Sequence, residues 1–146
     1  MVYDSRIDDS AQVARYYAGS AKVPGGAANE PGVRRQVRVL DLASTGAAPT
    51  SPGDISYANF VSRLRDPIRA YLTSSGAVKT TRCIVLTKGL PHRIQDTDVP
   101  AAGDDPTTLV NEFNGNDITC ASVDSELTLL WQNLSTGEAG GATDSL

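Results

Sequence analysis

Residues 81–94 read TRCIVLTKGLPHRI. The uncharged residues Cys83 to Thr87 run directly into Lys88, Gly89 and Pro91, and then into His92, the chain's one histidine. An apolar run closed by Gly and Pro has the form of a buried strand followed by a turn. In a parallel sheet the residues just past such a strand stand at the edge where ligands bind. The pattern therefore predicts a strand over 82–86 at the centre of a sheet. It fits a functional edge and a plain core strand equally, and it names no reaction.

The rest of the chain supplies elements that fit around that strand. Val2 and Tyr3 favour β structure and Asp4-Ser5 break it, so MVYDS reads as the tail of a first strand. DDSAQVARYYAGSAKVPGG predicts a helix with Asp8, Asp9 or Ser10 at its cap, an inner face of Val13, Ala14, Tyr17 and Ala18, and an end at Pro24-Gly25-Gly26. RRQVRVLDL, residues 34–42, predicts a second strand, apolar on both faces near its end. ASTGAAPTSPGD, residues 43–54, predicts a loop. In SYANFVSRLRDPIRAYLTSSG, Phe60, Leu64, Ile68 and Leu72 fall at successive i+4 steps. This predicts a helix that Pro67 kinks or restarts and Gly76 caps.

Residues 95–121 are the least regular part, with a short helix expected in PTTLVNEFNGN. ASVDSELTLLWQNLSTG predicts a last helix capped by Ser122, with Val123, Leu127, Leu130, Trp131 and Leu134 on one stripe and Gly137 at its end. The order β-α-β-α-β-irregular-α predicts an α/β fold, a short and mainly parallel sheet flanked by helices. One domain is expected over 1–137 and a loose tail over 138–146. Three strands are few and the first is cut short, which points to a domain truncated at both ends.

Composition narrows the function classes. The chain has 146 residues, 40% of them hydrophobic, 21% charged and only 5% aromatic, which is enough for one domain with an Ala/Val/Leu core. A net charge of −4 with no basic stripe argues against nucleic acid as a partner. No apolar run approaches the length of a membrane helix, so direct membrane insertion is not expected, and MVYDSRIDDS has no signal-peptide core. Cys83 and Cys120 are the only cysteines and have no CxxC spacing, so no metal site is expected. Nothing in the sequence implies a cofactor.

VLTKGLPHRI, followed some thirty residues later by ASVDSELTLL, resembles an uncharacterised bacterial protein family found in genomes that encode exosortase, a membrane-bound protein-sorting enzyme. The family's motifs are T-K-G-x-P-x-R-I and A-S-V-D-S-E-L. DDSAQVARYYAGSAKVP and YANFVSRLRDPIRAYL are similar to its two upstream helices, so the resemblance touches most of the chain. Family members are usually longer at both ends and often carry an export signal. The resemblance therefore implies an exported protein, periplasmic, cell-surface or extracellular, and no mechanism. Where the family has an apolar residue after the proline, this chain has His92, which argues against a family-wide catalytic role for it. More distantly, the strand order looks like the α/β domains of caspases and gingipains, a likeness of fold alone.

The candidate site follows from the strand ends. Asp4-Ser5, Asp41 and Thr87-Lys88 close the three strands, and a helix following a strand begins on the same side. Asp4, Lys88, Ser122, Asp124 and Ser125 thus form a candidate polar cleft. The bland alternative is a Lys88–Asp124 ion pair beside a helix cap. Asp124 and Glu126, two apart on a helix, point to different sides and make no acid/base pair. His92 and Cys120 are the candidate catalytic dyad, with Cys120 before a helix N-terminus that favours a thiolate. Gly89 has neither the glycines nor the order of a phosphate loop. Two functions stay open: a domain binding a protein or surface component, and a hydrolase of the cysteine-peptidase kind.

Overall fold

The computed structural model describes residues 1–27, 29–34, 36–95 and 121–131. The fold is mixed α/β, with short sheets containing parallel pairs and flanked by helices. In the first sheet, β1 (Val2–Tyr3) pairs in parallel with β2 (Leu40–Asp41). In the second, β3 (Gly53–Ser56) runs parallel to β4 (Pro91–Gln95), which pairs antiparallel with β5 (Ala121–Ser122).

The expectation of a central strand over 82–86 is corrected. The centre of the first sheet is β1. The Leu40 N–H donates to the Met1 carbonyl on one side (2.9 Å). On the other, the Val2 N–H donates to the Val85 carbonyl (2.8 Å) and the Thr87 N–H to the Val2 carbonyl (3.1 Å). Leu86 makes one parallel bridge to Val2, so residues 85–87 are an outer lane. Cys83 is exposed and Val85 is 40% exposed. An apolar run reports that side chains favour a pleated surface, and it cannot report whether both edges are paired.

The second predicted strand shrinks to β2 for a different reason. The Val33 and Arg34 N–H groups donate to the carbonyls of Tyr16 and Tyr17, two of the orphan acceptors at the end of α1 (Asp8–Ala18). Closing that helix removes 33–34 from any ladder. The inner face of α1 is also turned from the expected one: Ser10, Ala11, Ala14 and Ala18 are buried, while Val13 is exposed. Its N-cap is Ile7, with no side-chain cap bond.

The middle helix behaves as its i+4 stripe predicts, with one addition. α2 (Tyr57–Phe60) passes into a π turn (Val61–Arg65) and then into α3 (Asp66–Ser74). Pro67 has no N–H and its ring would clash with the carbonyl four residues back, that of Arg63. The wider turn on its N-terminal side relieves this without breaking the helix. It also keeps the stripe straight. Four residues at 100° each overshoot a turn by about 40°, so three such steps drift by about 120°, and the extra residue of a π turn takes most of that back. Phe60, Leu64, Ile68 and Leu72 are accordingly all buried, joining Val2, Leu40, Leu42, Ile94, Val123 and Leu127 in the main core. Each such side chain contributes about 1.5–3 kcal/mol.

The expected loop over 43–54 gives way to strand at its end, where β3 begins at Gly53, and β4 forms over 91–95, where no element was expected. Residues 53–56 and 91–95 lie in segments so punctuated by Ser, Pro and Gly that the β signal is lost, yet Pro is admissible as the first residue of a strand. The last helix, α4 (Val123–Thr128), starts at Ser122 as expected. Trp131, expected in its core stripe, is 52% exposed. Leu134, Gly137, the 138–146 tail, the helix in PTTLVNEFNGN and Cys120 lie outside the described residues.

Candidate functional site

The carboxyl end of β1 carries a dense polar knot. Asp4, fully buried, accepts the Arg6 backbone N–H (3.0 Å) and Nε (2.8 Å) at Oδ1, and Arg6 Nη2 (2.6 Å) at Oδ2. The Asp4 N–H donates to Ser10 Oγ (2.9 Å), and Ser10 Oγ lies 2.5 Å from Thr87 Oγ1. Arg6 Nη1 reaches the Ala47 carbonyl at 2.9 Å. Asp41 Oδ1 accepts the N–H groups of Ser5 (3.0 Å) and Ala43 (3.1 Å). One short network thus ties β1, α1, the end of β2 and the turn after residue 86.

The electrostatics follow from this geometry. Burial alone would raise the Asp4 carboxyl, but the hydrogen bonds and charge of Arg6 outweigh it and hold the group below its ordinary value. The same bonds raise the Arg6 guanidinium. Burial raises the Tyr3 phenol, and the charge and hydrogen bond of Asp41 raise it further.

The proposed Lys88–Asp124 pair is corrected. Lys88 Nζ meets Asp9 Oδ2 at 2.7 Å, in the first turn of α1, and both side chains are mostly exposed. Its ammonium is raised by the Asp9 hydrogen bond and charge. The nearer helix N-terminus decides the partner, because Thr87, just before Lys88, is already bound to Ser10 of α1.

A second place is an open groove of about 1050 Å³, between the 81–92 segment and α4. Its walls include Val78, Cys83, Val85, Leu127, Leu130 and Trp131, and Lys88, His92 and Asp124 also line it. Lys88 and Asp124 therefore share one groove without pairing. Asp4 faces the network behind the sheet instead. Ser122 and Ser125 serve each other: Ser122 Oγ accepts the Ser125 N–H and donates to Ser125 Oγ, both at 3.0 Å, as a helix cap does. Asp124 is exposed and Glu126 buried, so these carboxylates do point apart.

The two quoted motifs meet in the second sheet. β4, within the first motif, pairs with β5, which opens the second, through Arg93 opposite Ser122 and Ile94 opposite Ala121. Arg93 also grips Asp54 of β3 in a two-pronged ion pair, and Arg69 of α3 donates through Nε to the Leu130 carbonyl beyond α4. Gly89 shapes the groove's floor: φ is +92°, and a Cβ there would stand 2.8 Å from Ile7 Cγ2, so glycine is required by conformation and by space.

Sequence reasoning missed Cys83, Val85 and Trp131 as groove residues. All three were read as interior on residue type, and the available signal, a lone Trp at the end of a short amphipathic helix, is the same for a core and for a rim. Among the described residues no cluster of His, Cys, Asp and Glu is placed to hold a metal, and no helix is long and apolar enough to cross a membrane.

The described part thus combines mixed α/β structure with a polar hub at the end of β1 and an open groove beside α4. No family model, curated protein or solved structure matches the chain, so the relation to caspase- and gingipain-type domains has no support.

Proposed function

We propose that this chain is a binding domain of an exported bacterial protein, taking a protein or surface component in the groove between residues 81–92 and α4. The observation that carries the reading is the groove itself, about 1050 Å³ and walled by Val78, Val85 and Trp131, all more than 40% or at least 40% exposed. Large apolar side chains left open together mark interaction sites more often than scattered ones do. Export rests on the resemblance of the motifs at 87–94 and 121–127. Trp131 is the single tryptophan, so its fluorescence reports on this wall alone. Decapeptides displayed on phage and selected on the protein should include binders that shift that emission and that Trp131→Ala weakens. Selected binders indifferent to Trp131→Ala and to Val85→Lys overturn the reading.

A hydrolase is the second reading, favoured by one observation: the free thiol of Cys83 and the imidazole of His92 line the same groove. Turnover of 4-nitrophenyl acetate that disappears in both Cys83→Ser and His92→Ala is the expected result for it. Turnover unchanged in either variant removes it.

A further inference from the structure

Resting on the groove reading above, we propose that the occupant is an extended peptide that adds as a further strand along residues 83–87, bringing an acidic residue to the 79–82 end. Backbone polarity carries the argument. In an extended segment, alternate residues turn their N–H and C=O groups to opposite sides. The Val85 carbonyl and the Thr87 N–H face β1 and are bonded to Val2. The N–H and C=O groups of Ile84 and Leu86 therefore face away from β1. Neither residue makes a backbone–backbone hydrogen bond on that side among the described residues, and the Ile84 carbonyl has the long contact of the Cys83 thiol (3.7 Å). β1 itself is flanked by β2 and by this lane, so the open edge of the first sheet on this side belongs to 83–87.

An unpaired row of this kind is a template for another strand, and strand addition to an open edge is an established way of holding peptides. Side chains alternate across the added strand, so every second residue of the peptide would meet Val78, Val85, Leu127, Leu130 or Trp131 in the groove. Charge then orients it. Lys79 and Arg82 are exposed at the start of the edge and form no ion pair among the described residues. The exposed charge of Asp124, which lines the groove from α4, disfavours an acid beside it. The recognised segment is alternately apolar, with its acidic residue beside Lys79 and Arg82.

The test uses the full chain and decapeptides selected on it from a phage-displayed library, with Trp131 emission and competition as readouts. Ile84→Pro deletes one outward N–H and leaves both bonds to Val2 in place, a position where edge strands accept proline. It should weaken binding about tenfold or more, as loss of a hydrogen bond in an excluded site does, while Ile84→Val changes it little. To separate binding from folding of Ile84→Pro, the same peptides N-methylated at every second residue supply the complementary cut on unaltered protein. One of the two methylation registers should abolish binding and the other preserve it. Arg82→Glu should deplete acidic residues from the selected sequences. If Trp131→Ala weakens binding while Ile84→Pro and both methylated registers bind normally, strand addition is overturned and the groove reading stands. If no peptide is retained, or none responds to Trp131→Ala, both fall.

Discussion

The two ends of the outer lane beside β1 are built on opposite terms. At Thr87 the hydroxyl sits against Ser10, whose oxygen also receives the Asp4 N–H, and Asp4 is held on both carboxylate oxygens by Arg6. At 83–86 the segment lines an open groove, and Cys83 and Val85 are exposed. A few residues separate a buried, internally satisfied network from an edge with capacity to spare. The hub shows that polar residues beyond a strand need not form a ligand site, since they can consume one another's hydrogen-bonding capacity. The groove shows that apolar residues in a strand-like run need not be core.

The contrast can be broken most forcefully at the hub. Asp4→Ala leaves the inner end of Arg6 and the turn over residues 4–6 without an acceptor. Arg6 is partly exposed, so the loss should fall at or below the lower end of the range for a broken buried pair, about 2–3 kcal/mol by urea denaturation. Asp4 also sets a pH dependence. Its folded carboxyl lies below the unfolded value of 3.8, so its contribution is present above that value. It is lost as pH falls from about 4 through the lower folded value, and the acid limb of the stability profile should flatten in Asp4→Asn. An unchanged limb would show that Arg6 does not discriminate the charged form.

A smaller effect is expected where hub and groove join. Gly89→Ala places a methyl against Ile7 at a φ of +92°, and should cost about 1–2 kcal/mol. A variant as stable as the parent would mean that Ile7 yields freely and that the turn is softer than its geometry indicates. The smallest effect belongs to Lys88→Ala. Its pair with Asp9 is solvent-exposed, and the urea midpoint should stay within error, since exposed pairs contribute little. A clear loss would extend the hub outward to Lys88 and blur the boundary between the regions.

Parts of the candidate site were legible from residue type. Lys88 and Asp124 were expected on one side of the sheet, and they line one groove. The first turn of α1 was expected to be acidic, and Asp9 there is the acid that takes Lys88. Pairing choice was not legible, because it depends on which helix start lies nearer residue 88, a distance created by the Ser10–Thr87 contact across 77 positions.

The sequence by itself determined the elements whose signals are local. The 57–74 helix follows from four apolar residues at fixed spacing, the Ser122 cap from a hydroxyl before an acidic turn, and β1 from two β-favouring residues ahead of Asp4. Only the tertiary structure decided which strand is central, where the second strand stops and which apolar residues stay open. Among the described residues β1 has a partner on each side and 85–87 has one, a difference that no property of either segment encodes. Arg34 leaves the expected strand because its N–H closes the end of α1. Trp131 stays exposed because Leu130, beside it, takes the buried position and is fixed there by Arg69. The physical reason is common to all three: hydrogen-bonding groups and apolar surface are allotted by competition among distant segments, and a local pattern records only what each segment offers.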